Sequence, residues 1–297
     1  MRVRTRTLAV VLLAGGLALS ACGKQGSPSD SGSAPAQSVA SDVKVDGSPT
    51  FDKMKSRGRV VIGVKEDQPG LGYKDPTTNK YSGFDVEIAK LVAAQLGYGE
   101  DKIDYKAIAS AGREQAIING DIDYYVGTYT INAPRKDKVS FAGPYFTAGQ
   151  DLLVKKEDNS ITGPETLKGK KVCSVTGSTP IKNIKDKGYT EPGNILEYQN
   201  YSQCVSKLAE GAIDAVTTDD AILKGYAALE PDKYKVVGKP FSNEPYGIGM
   251  AHDDKALRDK VNNVLQKSLD DGTWQKIYDA TLGKSGSTAN KPVIQPY

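Results

Sequence analysis

An α/β fold of two lobes, each a mainly parallel sheet flanked by helices, is predicted by three observations. Strand and helix patterns alternate along the chain. About 245 residues follow the N-terminal segments, enough for two domains of ordinary size. A short pattern also occurs twice. The first strand is Arg59-Val60-Val61-Ile62-Gly63-Val64, a run that reads as buried. The next helix runs from Phe84 to Leu96, with Phe84, Ile88, Leu91, Val92 and Gln95 or Leu96 at helical spacing and Gly97 as its stop. A second β-α unit begins at Lys170-Lys171-Val172-Cys173-Ser174-Val175, after Lys168-Gly169.

The repeated pattern is Gln115-Ala116-Ile117-Ile118-Asn119-Gly120-Asp121-Ile122-Asp123 and, 91 residues later, Ser206-Lys207-Leu208-Ala209-Glu210-Gly211-Ala212-Ile213-Asp214. Each copy is a helix end, a glycine cap and a strand beginning Ile-Asp. Continuing the offset pairs Gly127 with Thr218 and Thr128 with Asp219, where the strands end. Ligands of open α/β sheets bind beyond the carboxyl ends of strands, so Thr128 and Asp219 are expected to face one another across a cleft.

The chain starts Met1-Arg2-Val3-Arg4-Thr5-Arg6, then runs uncharged and mostly apolar from Leu8 to Leu19. Residues 1–21 therefore read as a signal peptide; roughly a dozen apolar residues are too few to span a bilayer, which takes about 20. Leu19-Ser20-Ala21-Cys22 looks like a bacterial lipobox, which implies lipid on Cys22 and a chain anchored to the outer face of the cell membrane. Residues 22–49, rich in Ser, Gly, Ala, Pro and Gln, read as a flexible linker.

Charge excludes one class of partner. The three arginines before Cys22 leave 36 of 39 basic residues, against 36 acidic ones, so the mature chain is formally neutral and no nucleic acid is expected. Cys173 and Cys204 remain as a pair, and export favours a disulfide over two buried thiols. No His/Cys spacing suggests zinc; no metal and no cofactor are expected. The lone His252 is placed in an exposed turn before a helix.

From Phe51 to Gly283 the chain resembles the amino-acid branch of the bacterial solute-binding proteins that feed ABC importers. The residues that carry the resemblance are Ser82-Gly83-Phe84-Asp85-Val86-Glu87-Ile88-Ala89, Thr128-Tyr129-Thr130 with Arg135, Phe141-Ala142-Gly143-Pro144-Tyr145, Val175-Thr176-Gly177-Ser178-Thr179, Asp214-Ala215-Val216-Thr217-Thr218-Asp219-Asp220, Tyr246-Gly247-Ile248-Gly249 and Asp271-Gly272-Thr273-Trp274. The loop Asp67-Gln68-Pro69-Gly70-Leu71-Gly72 and the two cysteines resemble, more narrowly, glutamate-binding lipoproteins of Gram-positive bacteria. The resemblance implies a type II periplasmic-binding-protein-like fold. Lobe 1 would comprise residues 50–149 and 245–297, and lobe 2 residues 150–244. Two hinge strands, near Thr147 to Asp151 and Asn243 to Tyr246, would join them.

A free amino acid carries a carboxylate and an ammonium, each costly to bury unless it meets an opposite charge. The resemblance gives the carboxylate to Arg135, whose planar fork makes two charge-assisted bonds, with the hydroxyl or backbone of Thr130 beside it; the residues alone also allow a surface basic run, Arg135-Lys136-Asp137-Lys138. Thr176, Ser178 and Thr179 would present N–H groups at a helix N-terminus, which favours an anion, or simply start that helix. Asp219 and the carbonyl of Thr128 would meet the ammonium, with Asp220 capping the next helix. Lys65, directly after the first strand, would meet a γ-carboxylate, or be a solvated surface lysine. The loop from Gln68 to Gly72 has no aromatic residue to pack on the ligand, and Tyr73 or Tyr246 is expected to serve.

The function expected is capture of a polar amino acid, glutamate favoured, by a monomer that delivers it to importer permease subunits. Two other classes share the fold: an exported dehydratase-like enzyme, and a surface sensor or adhesin. Against the enzyme, the single histidine lies outside the cleft and no general acid is evident.

Overall fold

Apolar runs and glycine stops become two five-stranded sheets in the structure, a computed structural model that describes residues 34–287 and 290–297. The signal peptide and Cys22 lie outside the described residues. Lobe 1 contains β1 (Val60–Val64), β2 (Ile103–Ala107), β3 (Tyr124–Tyr125), β4 (Ser140–Ala148) and β10 (Glu244–Met250), in the order β2-β1-β3-β10-β4. Lobe 2 contains β5 (Gln150–Lys155), β6 (Val172–Val175), β7 (Ile195–Tyr198), β8 (Ala215–Asp219) and β9 (Tyr234–Val236), in the order β7-β6-β8-β5-β9. In each sheet the fourth strand is antiparallel to both neighbours and the other pairings are parallel.

That fourth strand is, in each lobe, the one the chain enters on arriving from the other lobe. The chain leaves lobe 1 at Gly149 and returns through residues 237–243. The two crossings are tied together: Gln150 N donates to Ser242 Oγ (2.9 Å) and Phe241 N to Gln150 O (2.8 Å). A Cβ on Gly149 would lie 2.7 Å from Pro240 Cβ, so only glycine lets the crossings approach this closely.

Helices cover the sheets. Lobe 1 has α1 (Pro49–Arg57), α2 (Phe84–Gln95), α3 (Arg113–Ile118), α4 (Ala133–Lys136), α8 (Lys255–Asp270) and α9 (Thr273–Ala280); lobe 2 has α5 (Thr179–Lys187), α6 (Tyr201–Glu210) and α7 (Asp220–Leu229). The long link between β1 and α2 folds into a small antiparallel sheet of Asp67–Gln68, Gly72–Lys74 and Tyr81–Ser82. Gly83 closes it at φ 114°, where a Cβ would sit 2.3 Å from Leu71 O. Phe84 then enters an aromatic cluster with Tyr145, Phe146, Trp274 and Tyr278. Trp274 is fully buried with its indole N–H on Tyr145 O (2.8 Å), which explains the Thr273-Trp274 motif.

The internal repeat has a common physical cause. Asp123 pairs backbone N–H with Val61 O (2.8 Å) and accepts from Val61 N on its carboxylate (2.6 Å). Asp214 does the same to Lys171, at 2.8 and 2.7 Å. In each lobe this aspartate staples the incoming strand to the start of its neighbour.

Residues 38–48 depart from the expected linker and are laid on lobe 1. The C-terminal carbonyls of a helix lack intrahelical partners, and Ala40 N supplies one to Ala94 O (2.9 Å) at the end of α2. Val45 is buried, Val43 packs against the core, and Ser48 both caps α1 and donates to Asp254 Oδ2 (2.8 Å). Composition, dominated by small residues, conceals these few anchoring contacts.

Candidate functional site

Between the carboxyl ends of the two sheets lies a small cavity. Its wall is Ser110, Arg113, Thr128 and Arg135 from lobe 1, and Ser178, Thr179, Pro180, Tyr201 and Asp219 from lobe 2. The expected residues Thr128, Arg135, Ser178, Thr179 and Asp219 are therefore brought together. Thr130 and Lys65 reach the wall through neighbours. Thr176 stands apart, with its N–H donated to Tyr198 O (3.0 Å).

Thr128, three residues beyond β3, is left-handed at φ 45°, a strained state for a β-branched residue that neighbours must hold. Asp85 of α2 does so: its Oδ2 accepts from Thr128 N (3.0 Å) and its Oδ1 from Tyr145 OH (2.8 Å). Burial pushes Asp85 up to about 6 despite these bonds. Thr128 Oγ1 donates to Gln68 Oε1 (3.2 Å), leaving the buried Gln68 Nε2 without a partner.

Two arginines flank the Tyr129 ring, with guanidinium carbons 4.3 Å (Arg113) and 4.9 Å (Arg135) from its centroid. Arg135 is presented by α4, whose N-cap Asn132 accepts from Arg135 N (3.0 Å). It donates to Thr130 O (2.7 Å) and to Gly177 O of lobe 2 (3.2 Å), and burial, then Arg113, lowers it to about 10. Arg113, only 2 % exposed, donates to Ser110 O, Thr128 O and the same Gly177 O. Sequence reasoning missed Arg113. No local pattern marked it, since a lone arginine at the start of a short helix reads as a surface residue.

Lys65 is 5 % exposed, not solvated, and donates to Ser110 Oγ (2.9 Å) on the wall. Burial, then Arg113, brings it down to about 7. Among the described residues neither Lys65 nor Arg113 makes an ion pair with an acid, whereas Arg135 has Glu114 at 3.6 Å.

On the lobe 2 side, Ser178 is the N-cap of α5 and accepts from Ile181 N (3.2 Å), so the helix N-terminus with Thr179 opens onto the cavity. Asp219 is 3 % exposed; Tyr246 OH donates to its Oδ2 (2.6 Å) and its Oδ1 has no partner. Burial, then Glu244, raises it well above the usual carboxylate range. Asp219, not Asp220, holds the N-cap position of α7; Asp220 instead accepts from Gly149 N (3.1 Å) and Lys224 Nζ (2.6 Å), because the crossing strand brings an N–H within reach. The aromatic side chain on the wall is Tyr201, while Tyr246 braces Asp219. Cys173 and Cys204 form a disulfide, Cα atoms 5.6 Å apart, which fastens α6 and hence Tyr201 to β6. His252 lies in the exposed turn before α8, as expected.

The lobes also meet outside the cavity. Asp67 Oδ2 accepts from Ser202 N (3.0 Å) in the first turn of α6, and Tyr226 OH donates to Asp67 O. Pro69 O lies so close to Gly225 that a Cβ there would be 2.2 Å away. The Asp67–Gly72 loop is thus a clasp on lobe 2.

The chain is similar to several known binding proteins. The chain is 40 % identical over 245 residues to the glutamate-binding protein GluB of Corynebacterium efficiens, covering 79 % of this chain and 82 % of that one. It is 40 % identical over 273 residues to the ABC transporter glutamine-binding protein GlnH of Bacillus subtilis, covering 92 % and 94 %. An ancestral arginine-binding protein solved with arginine superposes with a TM-score of 0.69 at 36 % identity, covering 75 % of this chain and 97 % of that one. Residues 60–284 match the family described as bacterial extracellular solute-binding proteins, family 3, and the chain belongs to that family.

Proposed function

We propose that the protein captures L-glutamate between its lobes and hands it to the permease of an ABC importer, as a monomer anchored by lipid on Cys22. The observation that carries the ligand assignment is a charge imbalance. Among the described residues, two adjoining buried cations, Lys65 and Arg113, make no ion pair with an acid, and a buried acid, Asp219, has an unpartnered oxygen. Buried charges are stable only when paired, and one glutamate supplies each missing partner. Its α-carboxylate meets Arg135 and the N-terminus of α5, its ammonium Asp219, and its γ-carboxylate Lys65 and Arg113. Glutamine lacks the last charge. The relatives named for glutamate and glutamine support the same class of ligand.

The raised Asp219 does not argue for an enzyme, because a bound ammonium would supply its missing counter-charge. Calorimetry of the purified mature protein against glutamate, aspartate, glutamine, arginine and histidine tests the assignment. Glutamate should bind tightest; a stronger response to a neutral or cationic amino acid would exclude it.

A further inference from the structure

Glu244 stands at the first residue of β10, where the second crossing enters lobe 1, and is 5 % exposed. Its Oε2 accepts from Thr130 Oγ1 of lobe 1 (2.7 Å) and from Thr179 Oγ1 of lobe 2 (2.7 Å), while its Oε1 accepts from Ser242 Oγ (2.7 Å). One carboxylate oxygen thus takes the hydroxyl proton of a threonine from each lobe. The two hydroxyl oxygens are themselves 3.4 Å apart. β10 also holds the backbone on which Thr130 sits: Ile131 N donates to Pro245 O (2.8 Å) and Gly247 N to Tyr129 O (2.9 Å).

A threonine hydroxyl has one proton and two acceptor lone pairs. With both protons committed to Glu244, each oxygen can only accept from a ligand. Acceptors suit an ammonium and oppose a carboxylate, so Thr130 does not have the donor hydroxyl that its place beside Arg135 suggested.

We infer that Glu244 is a positioning residue for ligand recognition. It fixes the hydroxyl protons of Thr130 and Thr179, so that Thr179, on the cavity wall with Asp219, presents an oxygen acceptor to the ligand ammonium while Thr130 shares the same carboxylate from behind. The inference rests on the amino-acid reading above. It also gives the crossing strand a direct part in recognition, because the two threonines share this acceptor only while the lobes are together.

Calorimetry with L-glutamate on the full mature protein tests it. Glu244→Met should weaken binding by at least about tenfold, the scale of a lost charge-assisted hydrogen bond, whereas Glu244→Gln, whose amide oxygen can still accept both protons, should stay within about threefold of the parent. In Thr130→Val/Glu244→Met the two losses should fall short of multiplying by at least about threefold, since each variant breaks the same bond. Thermal melting checks that all variants fold. Equal losses in the Gln and Met variants would show that charge, not proton placement, matters, and would overturn the inference. So would multiplicative losses, or a Met variant that binds like the parent. A parent that binds no amino acid would defeat the functional reading instead.

Discussion

At the scale of single residues, the preference for glutamate turns on Lys65. Burial and then Arg113 hold its ammonium near pKa 7, and a γ-carboxylate arriving beside it would raise that value. A group whose pKa is higher in the complex contributes affinity that is complete below the free value and is lost as pH climbs above it. Through Lys65, glutamate affinity should therefore fall as pH climbs above about 7, approaching about tenfold per pH unit, with proton uptake by Lys65 contributing a buffer-dependent binding heat on that limb; on the acid side it should fall as the raised Asp219 protonates. Glutamine should show little of the alkaline fall. Lys65→Met should narrow the preference for glutamate over glutamine by at least about tenfold; an unchanged ratio of dissociation constants would remove Lys65 from recognition. Arg135→Ala and Asp219→Ala should each nearly abolish binding, because each leaves an ionic group of the ligand unpaired, a loss of about 2 to 5 kcal/mol. Affinity within a few-fold of the parent would show that the residue is no anchor. That Arg135 and Asp219 would come together at the cavity was legible through the family resemblance and, for Asp219, through the 91-residue offset. Arg113 and Glu244 were not, since a lone arginine at a helix start and a lone glutamate before a strand look like ordinary surface residues until the fold buries them.

Among the elements, α6 is where disulfide, cavity and clasp converge. Cys204 fastens it to β6, Tyr201 lines the cavity, and Ser202 N receives Asp67 from the opposite lobe. The bridge closes a loop with a sequence separation of 31, for which chain entropy gives about 3 to 4 kcal/mol. Reduction should lower the melting temperature, and mass spectrometry of the exported protein should find no free thiol at either position; two free thiols would refute the pairing. Asp67→Ala removes a lobe-to-lobe bond and leaves the cavity wall intact, so it should weaken glutamate binding about three- to tenfold through faster dissociation, with the melting point of the ligand-free protein little changed. Unaltered dissociation measured by stopped flow would show that the clasp does not hold the closed form. The Asp67–Gly72 loop stood out in the sequence as a narrow family mark, but its role as a clasp depends on Gly225 and Tyr226 of a helix far along the chain. No local pattern could show that pairing.

Across the whole molecule, the two sheets share a strand order and an aspartate staple, and the sequence repeat was the visible trace of both. What composition misjudged was residues 38–48, where a handful of contacts to α2 and Asp254 outweighs a small-residue background. Each lobe contributes charge that is unsatisfied alone: cations from lobe 1, an acid and a helix N-terminus from lobe 2. A ligand that completes both sets would hold the lobes together. The most direct test is a crystal structure of the mature protein with L-glutamate. The α-carboxylate should lie on the Arg135 fork, the ammonium on Asp219 Oδ1, and the γ-carboxylate within hydrogen-bonding reach of Lys65 or Arg113. Glutamate bound outside the cleft, or with its γ-carboxylate turned to solvent and both cations unengaged, would contradict this assignment.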